Sequence, residues 1–226
     1  MHGGKPVEKK TIIDSKESLT DIISDIIYSD LLHKLQSRVL VPGTLIDRKA
    51  LATEYNVSIA PVRDALQRLT LEGFVETRSR SATVVKAIQE EDIYGALVLR
   101  EALETQAIRM IWGDIIRRER DNLHVLAAKV DSITDILEYW QADIDFHRYL
   151  VSLSGCRRLI ETYEQVMNLG TFYQVNKYFA RLDTIQCDSH MHLLNQLLDC
   201  DKDEAEKALR SHLSKGKALT SLKKLG

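Results

Sequence analysis

A mainly α fold is predicted by three features of the sequence. Two short helical patterns flank a tight polar break at Tyr55-Asn56-Val57, and a basic hairpin follows directly behind them. From Asp92 onward the pattern is almost wholly helical, with no proline after Pro61. The first two features predict an N-terminal winged helix-turn-helix. The third predicts a C-terminal antiparallel all-helical bundle.

In chain order, residues 1–18 are polar and read as a flexible arm, at least through Lys10. Leu19 to Leu35 carries Ile22, Ile23, Ile26, Ile27, Leu31 and Leu32 at helical spacing, an amphipathic helix that packs on the unit behind it. Asp47 is placed to cap a short helix containing Leu51 and Ala52. Ser58 is placed to cap the next, which tolerates Pro61 in its first turn because that turn has no intrahelical use for the missing N–H. Val62, Ala65, Leu66 and Leu69 recur on one side of it, leaving Ser58, Ala60, Arg63 and Gln67 outward. Gly73 ends that helix, and Phe74 to Thr77 with Thr83 to Val85 read as two strands around the tip Arg78-Ser79-Arg80-Ser81-Ala82.

Two packed helices in any enzyme can imitate a helix-turn-helix, but the basic hairpin adds a second sign of nucleic acid. The second helix would enter the major groove, with Lys49, Ser58, Ala60 and Arg63 near bases or phosphates. Arg78 and Arg80 on the wing would lie against phosphates or the minor groove. Formal net charge is only −2, divided as 13 Lys+Arg against 11 Asp+Glu through Ile88 and 18 against 22 beyond it. DNA affinity must therefore come from placed residues rather than from the global field. Three cysteines, Cys156, Cys187 and Cys200, are an odd number without CxxC spacing, which favours reduced structural thiols. No apolar run approaches a membrane span and the N-terminus lacks a signal-peptide core, so a cytoplasmic protein is expected.

Ile88-Gln89-Glu90-Glu91-Asp92 marks a boundary between a DNA-binding domain over residues 19–88 and a helical domain over residues 89–226. In the latter, helices are expected at Ile93–Trp112, Ile115–Val130, Ile133–Ser152, Arg157–Leu169, Thr171–Arg181, Ile185–Cys200 and Lys202–Leu222. Asp143 and His147 are four residues apart on one of them, so both side chains reach one point. His190 and His212 lie on the last two helices and come level with that pair if those helices pack antiparallel. Three imidazoles and one carboxylate suit a divalent transition ion such as Zn, Ni or Mn. From spacing alone a side-chain hydrogen bond or a solvated face is the commoner reading of such a pair, and His192 points to another face of its helix.

Residues from about Leu19 to Lys86 resemble the winged helix-turn-helix of the GntR family of bacterial transcription regulators. The resemblance rests on Val41-Pro42-Gly43-Thr44-Leu45-Ile46, Leu51-Ala52, Val57-Ser58, Pro61-Val62-Arg63-Asp64-Ala65-Leu66 and Arg68-Leu69. Two positions depart from the family pattern: Ile59 stands where an arginine is usual, and no glycine occurs near Ser81. The second domain resembles the FCD domain of the FadR branch, through Leu99-Arg100-Glu101-Ala102-Leu103-Glu104, Asp143-x-Asp145-Phe146-His147, Ser154-Gly155, and His190 followed by Asp201, Ala205 and His212. Cys156 replaces an asparagine common after that glycine.

This resemblance implies a metal held by Asp143, His147, His190 and His212, and a pocket for a small organic-acid effector. Arg100 is the candidate cation for the effector's carboxylate, the alternative being a simple pair with Glu104 on its own helix. It also implies a homodimer on a palindromic double-stranded operator, more often as a repressor than an activator, and no catalysis. A metal-dependent hydrolase, with Asp145 or Glu104 as base, would leave the winged helix unexplained. A metal-stabilised DNA-binding protein with no effector is the third reading.

Overall fold

The computed structural model describes residues 8–78, 82–173, 175–176 and 189–216, which fall into two compact units divided between Ile88 and Gln89. Arg80, Cys187 and the expected helical stretches over 177–188 and 217–222 lie outside the described residues.

In the first unit the opening helix, α1, spans Glu8–Gln36. It begins well before the expected Leu19, inside the stretch read as an arm, because residues 8–36 contain neither glycine nor proline to stop the helix. Its buried residues Ile27, Leu31 and Leu35 pack toward the helix-turn-helix. Each such side chain taken fully out of water contributes about 1.5–3 kcal/mol.

The two short helices are α2 (Arg48–Glu54) and α3 (Ile59–Leu71). The Asp47 carboxylate caps α2 by accepting from the backbone N–H groups of Lys49 and Ala50. Ser58 holds the N-cap position of α3 with extended backbone, but its hydroxyl makes no capping bond. The break between the helices is a Schellman turn. Asn56 takes φ 53°, Asn56 N–H donates to Thr53 O at 3.1 Å, and Val57 N–H donates to Ala52 O at 2.9 Å. Gly73 (φ 89°) repeats the device after α3, where Phe74 N–H donates to Leu69 O at 2.9 Å.

The wing is a three-stranded sheet in the order β1-β3-β2, from β1 (Leu45–Ile46), β2 (Val75–Thr77) and β3 (Thr83–Val85), all neighbours antiparallel. β1 was not expected as a strand. It pairs Ile46 with Thr83, and Arg48 beside it donates to the buried Thr83 hydroxyl at 3.0 and 3.2 Å. Polar contacts lock α1 to the pair of helices: Tyr28 donates to Glu72 at 2.6 Å, while the Arg68 guanidinium stacks 3.6 Å from the Tyr28 ring.

The described residues of the second unit form helices joined by short turns: α4 (Glu90–Ile111), α5 (Asp114–Arg118), α6 (Arg120–Ser132), α7 (Ile136–Ser152), α8 (Arg157–Tyr173), α9 (His190–Asp199) and α10 (Lys202–Gly216). A capping box between Gln89 and Asp92 starts α4. The stretch expected as one helix from Ile115 is two, loosened at Glu119 (φ −91°, ψ 7°). Glu119 still donates to Ile115 O and accepts from Leu123 N–H, so the axis is interrupted by a single residue. Conversely α8 runs through Gly170, because Phe172 and Tyr173 gain burial by staying helical.

The main core joins Ile108, Ile111, Ile116, Leu123, Phe146, Leu193, Leu197 and Leu209 from α4, α5, α6, α7, α9 and α10. At its surface, Arg109 on α4 pairs with Asp203 and Glu206 on α10, both at 2.8 Å, and Arg210 on α10 reaches back to Glu101. Cys156 and Cys200 are both free thiols.

Candidate metal centre and nucleic-acid interface

α7, α9 and α10 bring Asp143, His147, His190 and His212 together inside the second unit. All four are buried, and one donor atom from each lies within 4.8 Å of the others. Asp143 and His147 share a face of α7 by their i, i+4 spacing, so His147 Nε2 stands 3.6 Å from Asp143 Oδ1. His190, the first residue of α9, places its Nε2 3.2 Å from the same oxygen. The rings of His190 and His212 are 4.7 Å apart, and Phe146 meets His190 and His147 edge-on at 5.1 and 5.3 Å.

Around this cluster runs a layer of polar partners. Glu104 Oε2 is 2.6 Å from His147 Nδ1, while Glu104 Oε1 accepts from Arg100 Nε at 2.6 Å and from the Tyr163 hydroxyl at 3.1 Å. Arg100, 3% exposed, also donates from its second terminal nitrogen to Asp143 Oδ2 at 3.3 Å. The pairing with Glu104 on its own helix and a place at the cluster are thus both true of Arg100. Across the cluster Asp131, near the end of α6, holds the start of α9. Its carboxylate accepts from the backbone N–H of His190 (2.8 Å) and Met191 (3.1 Å) and from the Ser189 hydroxyl (2.5 Å). His190 Nδ1 lies 3.4 Å from Asp131 Oδ1 but is not aligned as a hydrogen bond.

Electrostatics fix the protonation of the cluster. Burial alone would raise the Glu104 carboxyl, but His147 and Arg100 override it and hold it at about 2. Asp143 is likewise kept well below the usual carboxylate range, against its burial, by Arg100, His147 and His190. Burial lowers the His212 imidazole to about 3, helped by neighbouring His147 and His190. At neutral pH the cluster therefore offers an ionised carboxylate and an uncharged His212. Contact with the ionised Glu104 turns His147 so that Nδ1 faces that carboxylate and Nε2 faces the cluster. Buried His147 Nε2 and His212 Nδ1 have no hydrogen-bond partner, which an ion taking nitrogen and oxygen ligands would supply. The donor set fits a divalent transition metal.

On the first unit, Ser58, Ile59, Ala60, Arg63 and Gln67 are exposed, whereas Pro61, Val62, Ala65, Leu66 and Leu69 are buried. Lys49 is exposed on α2. Among the described residues Arg63 pairs with its neighbour Asp64 at 3.2 Å, and Arg78 with Glu76 at 2.6 Å, both in open solvent. Asp131 and Tyr163 were not singled out from the sequence, and Glu104 was weighed only as an ion-pair partner or a base. Only Glu104 carries a signal in the sequence, through its i, i+4 spacing from Arg100 and its place in the Leu99-to-Glu104 stretch that resembles the FCD domain.

A winged helix-turn-helix followed by a helical domain with a buried His/Asp cluster defines a two-domain type of DNA-binding regulator. Residues 23–85 match the family model described as bacterial regulatory proteins, gntR family, and residues 96–215 match the FCD domain. The chain belongs to the GntR family of transcription regulators, with the two-domain architecture of its FadR subfamily; it is a DNA-binding transcription regulator, not an enzyme.

Among its relatives, the Nta operon transcriptional regulator of Aminobacter aminovorans is 27% identical over 77% of this chain and 83% of that protein. The HTH-type transcriptional repressor RspR of Escherichia coli K12 is 23% identical over 89% of this chain and 90% of that protein. A regulator structure from Rhodococcus sp. RHA1 aligns with TM-score 0.66 at 21% identity, covering 90% of this chain and 98% of that one. E. coli McbR/YncC aligns at 0.58 and 20% identity, covering 89% and 97%. These likenesses are of fold. Among the described residues no helix is long and apolar enough to cross a membrane.

Proposed function

We propose that the chain is a cytoplasmic repressor that binds a palindromic operator as a homodimer and is controlled by a small carboxylate acting at a divalent metal in its helical domain. Residues 19–88 are the DNA-binding part and residues 89–226 the sensing part. Lys49, Ser58, Ala60, Arg63, Arg78 and Arg80 are the DNA-contacting residues, and Asp143, His147, His190 and His212 the metal ligands. These four residues would hold a zinc, nickel or manganese ion, which would supply a Lewis-acid seat for one carboxylate oxygen.

The observation that carries this reading is Arg100. Its guanidinium is buried beside the cluster, stays fully charged through Glu104 and Asp143, and leaves one terminal nitrogen with no hydrogen-bond partner. A carboxylate with one oxygen near the cluster satisfies that nitrogen, and planar guanidinium is suited to the task. Control of DNA binding follows if the effector binds two arrangements of the protein unequally. That Arg100 already has two acidic partners favours one other reading, a metal-stabilised regulator with no effector.

Thermal unfolding of metal-loaded and chelated protein against a panel of small carboxylates separates the two. Stabilisation by one acid, dependent on metal and lost in Arg100→Met, supports the sensing pocket. Stabilisation by metal alone, with no response to any acid, leaves the metal structural and sinks the effector.

A further inference from the structure

Ile59, Arg63 and Gln67 fall at i, i+4 and i+8 along the exposed side of α3, opposite the buried Val62, Ala65, Leu66 and Leu69. Two of the three can hydrogen-bond a base edge. The third, at the first helical position, is a β-branched hydrocarbon left 48% exposed. It lies at the end of α3 that leads into the groove, since base contacts come from the N-terminal residues of a reading helix. Next to it stand the small side chain of Ala60 and a Ser58 hydroxyl not engaged in capping, with Arg63 one turn further along the same side.

We propose that Ile59 is a specificity-determining residue that selects thymine through its C5 methyl group. Isoleucine cannot donate to guanine or accept from cytosine, and the thymine methyl is the one apolar group displayed on the major-groove edge of a base pair. At the place in each half-site facing Ile59, a polar base edge would be desolvated against hydrocarbon without a partner, whereas thymine buries two apolar surfaces together. The inference rests on the reading that α3 lies in the major groove, and its test tells the two apart.

Preferred duplexes are selected from a randomised pool with the full-length wild-type chain. In the winning sequence, each thymine of a half-site is replaced in turn by deoxyuridine, which removes only the methyl. Loss of one buried methyl is expected to weaken wild-type binding roughly fourfold at one position. Ile59→Ala should bind the thymine and deoxyuridine duplexes equally there, while unfolding at the same temperature as wild type because the side chain is not in the core. Ile59→Arg should move the selected base at that position to guanine. Equal binding of every deoxyuridine duplex by wild type, or the same loss in Ile59→Ala as in wild type, overturns the assignment of Ile59. If Arg63→Ala also leaves affinity for the selected duplex unchanged, α3 is not the reading helix, and the failure lies with the groove placement itself.

Discussion

Glu104 Oε2 and His147 Nδ1 are 2.6 Å apart, both almost fully buried, on helices adjacent in space but far apart in sequence. The contact sets which face of the imidazole looks toward Asp143, His190 and His212. Glu104→Gln preserves shape but removes the charge that orients the ring. Metal affinity, measured by competition with a chelator of known strength, is expected to fall roughly 10- to 100-fold. Unchanged affinity would mean the ring is held by packing against Phe146 instead.

Asp131 is a cap supplied from outside its helix. Asp131→Ala strands the N–H groups of His190 and Met191 and the Ser189 hydroxyl at the start of α9. A stability loss of about 1 kcal/mol in urea unfolding of the chelated protein is expected, and a less firmly positioned His190 should appear as weaker metal binding in the same variant. A variant as stable as wild type would show that water replaces the carboxylate.

His212 makes the metal-free protein acid-sensitive. Its folded pKa is about 3, against an ordinary 6.5, because burial and then His147, His190 and Arg100 disfavour its charged form, with Asp143 opposing them. The unfolded chain thus takes up the proton first. The His212 contribution to stability is whole above 6.5 and is lost as pH falls from 6.5 toward 3, by up to about 1.4 kcal/mol per pH unit. Glu104, held at about 2 in the folded state against an ordinary 4.5, adds a second loss that begins below about 4.5. Urea titrations of chelated protein from pH 7 to pH 5 should show the first slope. His212→Gln should flatten it, and an equal slope in that variant would assign the acid sensitivity elsewhere.

Arg63 is free to leave Asp64 for a phosphate or a base, since both partners are well exposed and such pairs are weak. Arg63→Ala is expected to weaken operator binding and to lower the salt-dependence slope by about 1 if the contact is to phosphate. A loss confined to one operator base, with the slope unchanged, would assign Arg63 to base reading instead.

Much of the first unit was legible because its signals are local. Asp47, Asn56 and Gly73 each act within a few residues, and the apolar spacing of α3 names its buried side without knowledge of what covers it. β1 was not legible, since two residues have no period and their pairing with β3 is decided across the fold. In the second unit residue type and spacing pointed to Asp143 and His147 as a pair. That His190 and His212 come within reach of them depends on how α9 and α10 pack, which no single helix encodes. Asp131 and Tyr163 carried no signal, because each matters only through the approach of α6 to α9 and of α8 to α4. The start of α1 was misplaced because polarity was taken as disorder, where helix propensity prevailed.

The four-donor cluster is distributed unevenly along the chain. Two donors lie on α7, and the others arrive only with α9 and α10. Synthesis runs from the N-terminus and domains fold as units, so the DNA-gripping head is complete long before the last imidazole has left the ribosome. On the proposed reading, a chain cut short before α10 would keep residues 19–88 for DNA but lack His212, so loss of that helix would turn a responsive repressor into a permanent block.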